Sequence, residues 1–269
     1  MLLRAWLLLP SRVRLLVYRF LINVGIRIYG PTTSSCTYRL PFNLYAKYGE
    51  SVVESEANVM RFVSENTTIP VPRVVDCLEV PTGAFIVMTG LPGETLKDSI
   101  SHMSADERRQ FVHDLGSTLK QLHSLTAPDS HVSAFGGGSF RDWRIDHQDR
   151  LGPFNSEKEF YDKLYGYCGN VHKPRLRDLA RDVHNTPHRL CLTHNDLTPH
   201  NILILNKRLS GIVDWECAAW LPEWWEYTRS MYCRLGYQDW IDVMNEAHPE
   251  TYPKELEVEI EFWCVSFPW

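Results

Sequence analysis

Apolar residues recur at helical spacing near the start of the chain. Val13, Leu16, Val17, Phe20 and Val24 predict an amphipathic helix over 12–28, stopped by Tyr29-Gly30-Pro31. Such a stripe needs a covering surface, so the helix is expected to dock on the folded domain through it. The pattern then shortens. Residues 36–48 read as two strands around a turn at Pro41-Phe42-Asn43, 54–64 as a short helix, and Val74-Val75 and Phe85-Ile86-Val87-Met88 as further strands. Ile69-Pro70-Val71-Pro72 is extended, because proline disfavours helix in the residue before it. Thr89-Gly90-Leu91-Pro92-Gly93 breaks the chain and marks a hinge.

Beyond the hinge helical spacing dominates. Ser104-Ala-Asp-Glu107 predicts a capping box for a long helix carrying Phe111, Leu115, Leu119 and Leu122, and Ser156-Glu-Lys-Glu159 a second one before Phe160 and Leu164. Arg189–Thr193 and Asn201–Leu205 read as extended, with a turn at Asn206-Lys207-Arg208 and a returning strand over 209–213. Tryptophan-rich helices are expected from Trp224 to Trp263. The expected fold is α+β, with a small β-rich N-terminal lobe and a larger helical C-terminal lobe holding a hairpin. The expected divisions are 1–30, 31–90 and 91–269.

The 269 residues suffice for a sizeable core without metal or disulfide support. Apolar residues at 44% and charged residues at 23% exclude a wholly disordered chain, a coiled coil or a collagen-like rod. Seven cysteines, with no C-x-x-C, argue against a zinc ribbon and a disulfide framework and for a reducing, cytoplasmic setting. With 28 basic against 33 acidic residues the net charge is −5, which argues against nucleic acid as partner. The charge is segregated: residues 1–49 hold seven basic and no acidic side chains, leaving −12 for the rest. Arginines interrupt every apolar run before it reaches membrane-spanning length. A membrane-surface helix or a targeting segment is the alternative to docking for residues 1–28.

The chemistry concentrates in residues 191–216, CLTHNDLTPHNILILNKRLSGIVDWE. A hairpin over 201–213 would bring Asn201 at its entrance beside Asp214 at its exit. Two oxygen ligands at strand ends suit a hard divalent cation such as Mg²⁺. Asp196, just upstream, could then face a substrate hydroxyl. Cys191, His194, Asp196 and His200 are spaced too irregularly along an extended segment to form a zinc site.

His194-x-Asp196-x₄-Asn201 followed by Asp214-x-Glu216 resembles the catalytic loop and metal-binding segment of the aminoglycoside phosphotransferase and choline-kinase-like family, which has the two-lobed protein-kinase-like fold. Lys47 in Leu44-Tyr-Ala-Lys47 resembles that family's phosphate-binding lysine and Glu56 its helix partner. Ile86-Val-Met88-Thr89-Gly-Leu-Pro-Gly93 resembles the adenine-holding hinge. Arg39-Leu-Pro-Phe, Ile69-Pro-Val-Pro72 and Trp220-Leu-Pro-Glu-Trp-Trp-Glu226 resemble the fungal branch of the family, mostly of unassigned substrate. The resemblance implies an ATP-dependent, Mg²⁺-assisted phosphotransferase acting on a hydroxyl of a small molecule. It casts Asp196 and His194 as catalytic-loop residues, with His194 bracing the loop. It makes Lys47, Glu56, Met88 and Thr89 nucleotide-binding, and Asn201, Asp214 and Glu216 metal-binding. The segment that would cover the phosphates, Thr32–Cys36, has no glycine. H-R-D, D-F-G and A-P-E are absent, which favours a small-molecule over a protein acceptor. The glycine-free loop leaves a second reading, a catalytically weak nucleotide-binding or scaffold protein on the same fold.

Overall fold

The computed structural model describes residues 2–32, 34–145, 150–232 and 238–265. Two helices, α1 (Leu2–Leu7) and α2 (Ser11–Tyr29), precede a four-stranded antiparallel sheet of order β1-β2-β4-β3. Its strands are β1 (Thr37–Leu40), β2 (Leu44–Tyr48), β3 (Val74–Val80) and β4 (Gly83–Thr89). The β1–β2 turn uses positive φ at Phe42 and Asn43. Helix α3 (Glu54–Asn66) joins β2 to β3. Alternation along the strands gives the sheet two apolar faces. Leu40, Ala46, Leu78, Phe85 and Val87 pack with α2, whereas Ile86 packs with Val59, Met60 and Val63 of α3.

Helix α2 docks on the sheet, but not through the stripe that the spacing suggests. Its buried residues are Tyr18, Ile22 and Gly25. Val13, Leu16, Val17 and Phe20 are exposed and Val24 is half-buried. The helix is apolar on two faces, so periodicity marks both and selects neither. The choice is made by chemistry that only the fold assembles. Tyr18 stacks on Phe85 with ring centroids 5.9 Å apart, and its hydroxyl donates to the buried Asp76 carboxylate at 2.9 Å. Arg14 pairs with the same carboxylate. At Gly25 a Cβ would lie 1.9 Å from the Arg39 carbonyl oxygen, so only glycine permits this approach to β1.

After the short strand β5 (Glu94–Thr95), α4 (Ala105–Ser124) opens on the expected capping box, Ser104 with Glu107. The second box is half-formed at the start of α5 (Glu157–Gly166). Ser156 accepts from the Glu159 N–H, but the Glu159 carboxylate reaches the Asn155 N–H at 2.9 Å. β6 (Ser133–Ala134), α6 (Lys173–Leu179), α7 (Arg181–Asn185) and β7 (Leu190–Thr193) lead to the hairpin β8 (Ile202–Leu205) and β9 (Arg208–Ile212). Its turn residues Asn206 and Lys207 both have positive φ, as a two-residue hairpin turn demands. β10 (Ala219–Pro222), α8 (Trp225–Met231), α9 (Gln238–Ala247) and α10 (Pro253–Val265) complete the larger lobe. Two small sheets, β6-β10-β7 and β5-β8-β9, carry the segment 194–201 between them. Trp215, Trp224, Trp225 and Trp240 are fully buried, as core residues. Among the described residues no helix is long and apolar enough to cross a membrane.

Candidate functional site

Lys47 stands on the α3 side of β2, 3% exposed. Its ammonium meets three carboxylates: Glu56 at 2.9 Å, Asp214 at 2.6 Å and Glu216 at 3.0 Å. An ammonium has three N–H donors, so this set saturates it. Each acid arrives from a different element: Glu56 from the first turn of α3, Asp214 from the end of the hairpin, and Glu216 from the helical turn Trp215–Cys217. Asp214 adopts a left-handed conformation at φ 65°, unusual away from glycine, and its carboxylate contacts Lys47 from there. Burial would lower the Lys47 pKa, but Glu56, Asp214 and Glu216 outweigh it and hold the amine well above its ordinary value. Burial pushes Glu56 up to about 7 against the pull of Lys47. One of its oxygens, Oε2, is buried without a hydrogen bond.

The hairpin brings Asn201 to Asp214 as its spacing suggests: the Val213 N–H donates to the Asn201 carbonyl at 2.9 Å, and Ile202 pairs with Ile212. The Asn201 amide N–H₂ donates to the Asp196 carbonyl at 2.8 Å and to its carboxylate at 2.9 Å, leaving the amide oxygen to accept. Both His194 ring nitrogens are engaged by backbone. Nε2 donates to the Val213 carbonyl at 3.0 Å and Nδ1 accepts from the Asp196 N–H at 3.3 Å. Burial pushes this imidazole down to about 4, so it is neutral and spans from loop to hairpin. Met88 and Thr89 end β4, opposite Tyr45 and Leu44, whereas Lys47 is opposite Ile86. The Thr89 hydroxyl accepts the Arg73 N–H. They lie at the end of the strand, before Gly90–Gly93, and stand apart from the lysine cluster. Within the glycine-free segment, Thr33 lies outside the described residues. The Thr32 hydroxyl donates to the Ser34 carbonyl at 3.1 Å.

Residues distant in sequence hold the 194–201 loop in shape. The Arg229 guanidinium donates to Asp196 at 3.0 Å and lies 3.9 Å from Asp142. Burial pushes Asp196 up to about 6, with Arg229 opposing and Asp214 assisting. Glu226 accepts the N–H groups of His194 and Asn195, and burial raises it to about 7. Asn195, at φ 62°, donates to the carbonyls of Arg141 and Cys217 and accepts from the Trp225 indole at 2.8 Å. Spacing along the sequence does not reach these partners. The available signal was Glu226 and Arg229 in an otherwise aromatic stretch, which burial had to pair.

Among the described residues one other group has metal-ligating character: His123, Cys191 and Glu223, with ligand atoms within 4.8 Å of one another. The Arg189 guanidinium already supplies a cation there, 3.4 Å from Glu223 and 3.4 Å from His123 Nδ1.

A lysine held by three acids on the face of a small antiparallel sheet, beneath a hairpin-borne Asp and Asn, defines the two-lobed protein-kinase-like architecture. Within that class, a model described as the phosphotransferase enzyme family matches residues 46–252, and the chain belongs to this family. The aminoglycoside phosphotransferase APH(4)-Ia superposes with a TM-score of 0.61 at 14% identity, covering 92% of this chain and 88% of that one. The gentamicin complex of APH(2")-IIa gives 0.58 at 19% identity, covering 94% and 86%. Clavilactone A biosynthesis cluster protein Y of Ampulloclitocybe clavipes is 26% identical in an alignment of 258 positions, gaps included, that covers 77% of this chain. The chain spans 64% of the length of that curated relative.

Proposed function

We propose that this protein transfers the γ-phosphoryl group of ATP to a hydroxyl of a small molecule, with residues 31–90 as the nucleotide lobe and 91–269 as the acceptor lobe. The observation that carries this reading is the saturated Lys47. Three acids share one ammonium and the Arg141 guanidinium, 3.8 Å from Glu216, so negative charge remains in excess by one. Anionic phosphates that claim Lys47 would release carboxylates, and released carboxylates need a cation. The donor set is all oxygen, from Asp214, Glu216 and the Asn201 amide, which suits Mg²⁺. When bound, Mg²⁺ would neutralise charge on the phosphate oxygens.

The chain's own residues do the rest. Lys47 faces the phosphates and Glu56 keeps it oriented. The backbone at Met88 and Thr89 offers the hinge for the base. Asp196 orients the acceptor hydroxyl and accepts its proton as the new oxygen–phosphorus bond forms and the bond to the β-phosphate oxygen breaks, releasing ADP. Arg229 and Asn201 hold the Asp196 carboxylate in place. His194 braces the loop and moves no proton.

Relatives whose structures are described with gentamicin, or with hygromycin B and ADP, support a nucleotide and a hydroxylated small molecule as the two substrates. They do not make an antibiotic the acceptor here, because fold does not transfer substrate. A radiolabel-transfer screen from [γ-³²P]ATP over sugars, amino alcohols and natural-product alcohols tests the reading. Labelled product that requires Mg²⁺ and Asp196 is expected. Mg²⁺-dependent ATP binding without transfer to any alcohol would favour a nucleotide-binding scaffold instead.

A further inference from the structure

Helix α2 is buried on one side only. Opposite Tyr18 and Ile22, it presents Val13, Leu16, Val17 and Phe20, with Leu16 68% and Phe20 64% exposed. Their spacing places the four on one arc of about 100°. Ile28, 61% exposed, adds apolar surface near the end of the same helix. Arg12 and Arg19 border this arc on one side and Arg27 continues its line toward the end of the helix; all three are exposed, and the first acidic residue of the chain is Glu50. An apolar strip of this length on a folded surface marks an interaction site.

We propose that this outer face of α2 binds the surface of an anionic phospholipid bilayer. Leu16 and Phe20 would enter the boundary between headgroups and acyl chains, and Arg12, Arg19 and Arg27 would meet lipid phosphates. Charge complementarity selects this occupant. The chain is acidic overall, yet its first 49 residues carry seven positive charges and no negative one. Arginine beside leucine and phenylalanine is the composition of helices that lie in a membrane interface. The sheet gives the geometry a use. Ala46, Phe85 and Val87 face α2, whereas Lys47 meets Glu56 of α3 on the other side. A bilayer at α2 would therefore leave the lysine cluster facing away from it.

Cosedimentation of the full chain with phosphatidylcholine vesicles, with and without about 30% phosphatidylserine, tests this. Binding to the anionic vesicles alone is expected, and it should fall steeply at about 0.5 M salt. Leu16→Ser with Phe20→Ser should lower partitioning by about tenfold or more. Arg12→Gln with Arg19→Gln should lower it roughly fivefold per charge removed. All four side chains are exposed, so circular dichroism and melting temperature should not move. Absence of sedimentation with anionic vesicles would overturn the proposal, as would undiminished binding of the Leu16→Ser/Phe20→Ser variant. A dimer seen by light scattering and lost in that variant, without vesicle binding, would assign the face to a second copy of the chain and also overturn it.

Discussion

Lys47 cannot hold a phosphate and all three of its carboxylates at once, since its three N–H donors are already matched. Lys47→Ala should therefore abolish most nucleotide binding, and Lys47→Arg should not restore it, because a planar fork does not fit a site built around a compact ammonium. Calorimetry with Mg·ATP checks both. Asp214→Asn should lose the Mg²⁺ dependence of binding. Asp196→Asn should bind Mg·ATP nearly normally and lose about 10²–10⁴ in turnover, the usual cost of a positioned base. Full turnover in Asp196→Asn would sink the mechanism. Asp196 must be ionised to accept a proton and is raised to about 6. Hence kcat/KM should rise with pH through about 6 and then level off; a flat profile from pH 5 to 8 would exclude Asp196 as the base. Asp196, Asn201 and Asp214 can be placed together from the sequence because a loop and a hairpin convert short spacings into contacts, whereas Lys47, 167 residues from Asp214, is singled out by resemblance alone. Asp142, Glu226 and Arg229 cannot be placed from the sequence, because tertiary packing alone brings them to the loop.

Element by element, local signals fare well where the partners are close in sequence. The Ser104 box, the Asn206-Lys207 turn and the strands around Pro41-Phe42-Asn43 all depend on neighbours within a few residues. The face by which α2 docks depends on Asp76 and Phe85, more than fifty residues away, and helical periodicity alone marks two faces without choosing between them. This makes the docking testable by single changes. Tyr18→Ala removes a buried ring stacked on Phe85 and should cost about 3 kcal/mol, as large-to-small core changes do. Tyr18→Phe removes only the hydroxyl donated to Asp76 and should cost about 1–2 kcal/mol. Phe20→Ala, on the exposed face, should leave the unfolding midpoint in urea within error. Equal midpoints for Tyr18→Ala and Phe20→Ala would contradict the docking described.

For the molecule as a whole, a ligand that reaches into both lobes should stabilise them together. Mg·ATP at a hundred times its Kd should add about 2.7 kcal/mol, roughly 5–10 °C in melting temperature, and Lys47→Ala should lose most of that shift. The same view bears on where the protein can be cut. The family match begins at residue 46, inside β2, after α2 and all of β1 have passed. A chain trimmed to 46–252 would lack Tyr18, Ile22 and Leu40, and so would leave Leu78, Phe85 and Val87 facing water beside a raw strand edge. An apolar plate next to unpaired backbone donors is a template for adding strands from other chains. The stretch that defines kinship is therefore shorter than the stretch that folds, and the expected product of such trimming is aggregate.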